Sequence, residues 1–390
     1  MKVLLIGNEQ DMAFIYKCIK EPDAIYKTIV WNNESGPEYF TPDVLSVPDC
    51  IVIAVKDRTL AKELYEFLKV LTRNDSKCIL DFYLFYNATI PSMTCERVLE
   101  NPLNTSFEGM ILGISHGMTA IVPRFLDIPF CNLAVSSQDM YYNLKTFEYC
   151  MEKYYNKIKD MKYLIIDMFD YNYFNFDVTS CGLLALDYYD YGGYNLDGHN
   201  FNRNKSFGCC FDDYMLTRLY NKYQYIDEEQ MDFWEMLFGD VHKHNGYIEF
   251  CAYPDLYTRM HILTDEEAEE FNASTGIVRN VYQTTIDENI KCFKRILELA
   301  YKLNENMQVI LLLIPRYARV KEKHALEMKP WKDRFYNILD EVRTQYPFEI
   351  LDLTEHAISK EKAYYQDAAH FNYYGAVEFT KILNDYLHES

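Results

Sequence analysis

The stretch "GMILGISHGM", residues 109–118, sets how the rest of the chain is read. "MILGI" is a short apolar run with glycines at its borders, which reads as a buried strand. The run delivers Ser115 at its carboxyl end, and Gly117 and Met118 then enter a helix. In open α/β sheets ligands gather outside the carboxyl ends of the strands, so Ser115 stands where a functional hydroxyl would. Gly113-Ile114-Ser115-His116-Gly117 also spells Gly-x-Ser-x-Gly. That pattern can present a serine on a sharp turn beside a free backbone N–H. The pentapeptide also arises by chance, and a serine opening a helix is equally an N-cap.

Working outward, "FCNLAV" (130–135), "KYLIID" (162–167), "MQVILLLIP" (307–315) and "FEILDLT" (348–354) are further strand-like runs, with helical patterns at 139–160 and 286–304. A separate series precedes them: "KVLLI" (2–6), "KTIVW" (27–31), "DCIVIAV" (49–55) and "KCILDFYLF" (77–85), with helical spacing between. Strands alternating with helices predict parallel sheets covered on both faces. The expected fold is therefore α/β. A Rossmann-like domain spans 1–88, and a second domain spans 89–390. Between its third and fourth strands lies an aromatic-rich insertion at about 170–305, far beyond ordinary loop length.

The chain has 390 residues and a formal net charge of −20. Such a surface repels polyanions, so neither nucleic acid nor an anionic membrane is expected as a partner. The N-terminal "MKVLLIGNEQDM" is too short for a secretory signal or a membrane span, and the longest later apolar run, "VILLLI" (309–314), is of strand length. Eleven cysteines, an odd number without a Cys-x-x-Cys pair, read as buried free thiols of a reducing compartment. The expected location is the cytoplasm. "GNEQDM" has one glycine where a dinucleotide fingerprint needs three, and no P-loop follows. A docking or degenerate binding role is therefore expected for 1–88, with no bound cofactor. The 35 tyrosines suit sugar-binding clefts and interfaces, and equally fill cores.

A serine nucleophile needs a base, and the base needs an orienting carboxylate. "YYQDAAHFNYYGA" (364–376) supplies both: His370 as base, with Asp367 three residues earlier to accept its other ring N–H. The local alternative is a polar turn ahead of a helix capped by Asn372.

A first strand ending in Ser115 and a last strand followed by Asp-x-x-His resemble the SGNH hydrolase superfamily, the GDSL-like esterases. "DAAHFNYYGA" is most similar to the O-acetyltransferase and esterase-like relatives of polysaccharide gene clusters. The resemblance covers roughly 105–170 and 300–390. It implies a flavodoxin-like parallel five-stranded sheet and a serine-dependent carbohydrate esterase or O-acyltransferase working through an acyl-enzyme in polysaccharide biosynthesis or modification. By position it makes Ser115 the nucleophile, His370 the base and Asp367 its orienter. If the reaction ends in transfer, it implies an acyl donor such as acetyl-CoA. The family's glycine after the second strand and its Gly-x-Asn-Asp after the third are replaced here by "NLAVSSQD" and "DMFDYNYF". Ser136 or Ser137 through a backbone N–H, and Asn172 through its amide, are the oxyanion-hole candidates. Arg316, Arg319 and His116 are the candidate substrate-binding residues. Asp167 and Asp170 either join the site or serve as caps and loop charges. His242, His244, His261 and His199 lack a known zinc spacing. Two other readings stay open: a non-catalytic scaffold with a degenerate site, and a nucleotide-sugar-binding enzyme using the N-terminal domain.

Overall fold

The computed structural model describes residues 1–31, 40–72, 77–86, 95, 98–100, 106–177, 228–239, 259–270 and 280–389. Most of the expected insertion, with His199, His242 and His244, lies outside the described residues. The chain divides into two compact units. One is Met1–Ala88 with Asp213–Gly246; the other is Thr89–Asp212 with Tyr247–Ser390.

The first unit carries β1 (Val3–Gly7), β2 (Ile25–Val30), β3 (Cys50–Ala54) and β4 (Cys78–Asp81), all parallel, in the order β2-β1-β3-β4. Every residue of β1 and β3 is buried, as both faces of a helix-covered parallel sheet require. Val3, Leu5 and Val52 feed one core, while Leu4, Ile6 and Ile51 feed the other. The fourth strand is shorter than the apolar run predicts. It stops at Asp81, and Phe82–Tyr86 turns into a helix. Asp81 Oδ1 accepts the Leu84 N–H at 3.3 Å, a capping bond that competes with extension of the strand. The helix also aims Phe82 and Phe85 at Trp234, with centroids 5.5 and 5.2 Å away. Trp234 belongs to helix Glu228–Phe238, so this part of the expected insertion packs in the first unit.

In the second unit β5 (Gly109–Leu112), β6 (Phe130–Asn132), β7 (Tyr163–Asp167), β8 (Gln308–Leu313) and β9 (Glu349–Asp352) form one parallel sheet in the order β6-β5-β7-β8-β9. This is the doubly wound, flavodoxin-like order, and its topological switch point lies between β5 and β7. Alternation along the strands separates two cores. Leu112, Ile166 and Leu311 meet helix Gln283–Leu303 through Phe293 and Leu297. Ile111, Ile165 and Ile310 meet the C-terminal helix Tyr373–Glu389 through Phe379 and Leu383. Residues 171–177, "YNYFNFD", at the start of the expected insertion, are core. Tyr173, Phe174 and Asn175 are buried, and Asn289 donates to the Phe174 and Phe176 carbonyls at 2.9 and 2.8 Å. Among the described residues no helix is long and apolar enough to cross a membrane.

Candidate active site

Gly113 follows β5 with φ +151°, and a Cβ there would lie 2.4 Å from the Asp167 Cβ. Only glycine lets β5 exit this close to β7. The chain then enters a short helix, Ser115–Ala120. Its first turn is moored by Asp167 at the end of β7. Asp167 Oδ2 accepts the Gly117 N–H at 2.6 Å and the Ile114 N–H at 3.4 Å, and Oδ1 accepts the Phe169 N–H at 2.9 Å. Burial pushes this fully enclosed carboxyl up to about 6, against the opposing pull of the three N–H groups and Arg316.

Ser115 Oγ lies 2.9 Å from His370 Nε2. His370 Nδ1 faces both Asp367 oxygens, at 3.0 and 3.1 Å. With the Nδ1 proton directed at the carboxylate, Nε2 is left to accept the serine proton. Asp367 Oδ1 also takes the Ala369 and His370 backbone N–H groups at 2.8 and 2.9 Å, closing an Asx turn. Partial burial would raise the Asp367 carboxyl, but its hydrogen bonds to the His370 ring and to these N–H groups outweigh that and hold it at about 2.

The loop carrying this pair is anchored at both ends. Tyr365 and Phe371 form an antiparallel bridge, are almost fully buried, and bring their rings to 4.7 Å. Asn372 caps the final helix as expected, accepting the Gly375 N–H at 3.0 Å. Its amide also donates to the His261 and Ala363 carbonyls. A Cβ on Gly375 would sit 2.1 Å from the Tyr364 carbonyl oxygen. Gly375→Val is therefore expected to displace the helix from the loop and cost about 2 kcal/mol or more, read as a lowered urea midpoint.

The remaining predicted residues are distributed differently. His116 is 3% exposed and stacks on His370, with centroids 4.7 Å apart and an interplanar angle of 15°. This corrects the substrate-binding assignment, because successive helical residues are turned by about 100° and His116 points into the protein. Burial first, then the His370 and Arg316 charges, depress its basicity well below the usual histidine range. The ring is thus a neutral plate against the base. Arg319, half exposed, pairs with Asp265 and Glu269 on helix Asp265–Glu270. That helix is an acidic neighbour invisible in the local "IPRYARV" pattern. Arg316 stays at the sheet edge, 3.0 Å from Asp170 and 4.8 Å from the Phe169 ring centroid.

Ser136 and Ser137 sit half-exposed in the turn after β6, Ser137 with φ 61°. This turn runs beside the β5 exit, where Val135 N–H donates to the Gly113 carbonyl. Asn172 is buried, and its side-chain Oδ1 has no hydrogen-bond partner among the described residues. His261 bonds Glu267, and among the described residues no group of three or more His, Cys, Asp or Glu could hold a metal ion. Cys50, Cys78, Cys95, Cys131, Cys150 and Cys292 are buried free thiols.

Sequence reasoning did not single out Phe169. It holds a left-handed φ of 57°, and its ring lies between His116, 5.1 Å away, and Arg316. A bulky residue in that region costs on the order of 1–3 kcal/mol, and the Asp167 bond to its N–H holds it there.

No family model matches the sequence, and comparison with curated proteins finds no match.

Proposed function

We propose that this protein is a serine-dependent carbohydrate esterase or O-acyltransferase, acting on acyl esters in polysaccharide biosynthesis or modification. The observation that carries the reading is the continuous Ser115–His370–Asp367 hydrogen-bond chain at the carboxyl edge of a parallel sheet. His370 Nε2 takes the Ser115 proton as Oγ attacks the ester carbonyl, and Asp367 stabilises the imidazolium that forms. Collapse of the tetrahedral adduct expels the alcohol, which takes its proton from His370. Water or a sugar hydroxyl then gives a proton to His370 and attacks the acyl-enzyme, restoring Ser115. The Ser115 N–H, to which the described residues form no hydrogen bond, is an oxyanion donor in this scheme. The Ser136 or Ser137 N–H and the Asn172 amide complete the hole.

A serine-directed fluorophosphonate tests the reading. Intact-mass analysis is expected to give one adduct per chain, and peptide mapping to place it on Ser115. Labelling should disappear in His370→Ala. A folded chain that takes no label would remove the catalytic reading and favour a binding protein built on the same frame.

A further inference from the structure

Next to the triad, on the far side of Phe169, the second unit has an open cavity of about 300 Å³ across the exits of β7, β8 and β9. Its lining carries four cations, Arg316, Lys321, Lys329 and Lys332, against two carboxylates, Asp170 and Glu355. That excess is notable in a chain where 59 acidic residues outnumber 39 basic ones. Arg316 is bound to Asp170, and Lys321 to Glu355 and the Thr354 carbonyl. The other two pair with no carboxylate among the described residues. Lys332 Nζ lies over the Tyr171 ring, 4.9 Å from its centroid, and Lys329 forms no ion pair among the described residues. The aromatic walls, Phe169 and Tyr171, are fixed. The first is held by Asp167; the second donates its hydroxyl to Asp352 at 2.8 Å.

We infer that this cavity binds the anionic group of a charged saccharide, a carboxylate or a phosphate, with the sugar against Phe169 or Tyr171. Lys329 and Lys332 supply the uncompensated charge, and Phe169 and Tyr171 supply apolar lining beside it. β8 lies two strands from β5, about 10 Å at ~4.8 Å per strand. A ligand seated here and reaching Ser115 is thus longer than one sugar ring. The anion site determines which saccharide is presented. Its link to Ser115 rests on the serine reading above; the binding itself does not.

Calorimetric titration of the full-length Ser115→Ala chain with glucose 6-phosphate, glucuronic acid and neutral glucose tests the inference without turnover. At least one anionic sugar is expected to bind tenfold or more tightly than glucose, weakening as salt rises. The double variant K329A/K332A changes exposed side chains, and an unchanged melting curve checks its fold. It is expected to lose that binding tenfold or more. Binding of the phosphate alone or of the carboxylate alone supports the site and names its anion. Equal affinity for glucose, or affinity untouched by the lysine substitutions, overturns it. Anion binding without fluorophosphonate labelling of Ser115 in the wild-type chain keeps the cavity and removes the esterase reading; the reverse result removes the cavity alone.

Discussion

Ser115→Ala and His370→Ala are each expected to lower turnover of a simple acetyl ester by about 10³-fold or more, with the double variant no worse than either single one. The serine and its base act as a unit, so removing the second member of a broken pair changes little. Asp367→Asn should fall in the same range, because Oδ1 stays with the Ala369 and His370 backbone N–H groups and the amide NH2 that replaces Oδ2 donates to Nδ1, favouring the tautomer that puts the ring proton on Nε2. None of the three should greatly disturb the melting transition. Ser115 and His370 sit at the sheet edge, and the anchoring is done by Tyr365, Phe371 and Asn372. Steady-state kinetics of the four variants, with melting curves, checks this. Additive losses in the double variant would argue against a shared proton path.

Asp167→Ala is expected to have the largest effect among residues that do not touch substrate. It strips an acceptor from three backbone N–H groups, two of them flanking Ser115 and one holding Phe169 in its left-handed conformation. Each unpaired buried N–H costs about 1–3 kcal/mol, offset in part at neutral pH by removal of a buried charge. The offset has a sign that can be read. Asp167 titrates near 6 in the folded chain, against about 4 for a free carboxyl. Between those values the native state holds a proton that the unfolded state has released. Its contribution to stability therefore falls as pH rises from about 4 to 6 and is flat above, by about 3 kcal/mol over the window. The variant loses that slope, so its deficit relative to wild type should be greater at pH 5 than at pH 7 in urea titrations. Ester turnover should drop about 10- to 100-fold through kcat, as a loosened nucleophile turn would produce.

The parallel sheets were legible in the sequence because buried strands of this kind are short unbroken apolar runs, and "KVLLI", "CIVIA" and "VILLLI" are little else. The meeting of Ser115 with His370 was legible too, since Ser115 stands at a strand exit and the Asp-x-x-His segment follows the last strand. What escaped was set by packing between distant segments. "FYLFY" bends into a helix because Trp234 and Phe238 await it, and nothing in 77–86 announces that partner. His116 looked available beside Ser115, yet one helical step turns it against the base. Lys329 and Lys332 look like ordinary solvated helix positions until Phe169 and Tyr171, some 160 residues earlier in the chain, close a wall opposite them.

The first unit is sewn together from two separated pieces. The sides of Phe82 and Phe85 that meet Trp234 and Phe238 stay uncovered until those residues are made. At ~5–20 residues per second, a ribosome passing from residue 88 to residue 238 leaves that aromatic face open for on the order of ten to thirty seconds. Residues 1–88 expressed alone would never close it. The N-terminal sheet, although synthesised before the second, therefore stays incomplete until residue 238 is made, and the natural place to divide this gene product is not where the first sheet ends.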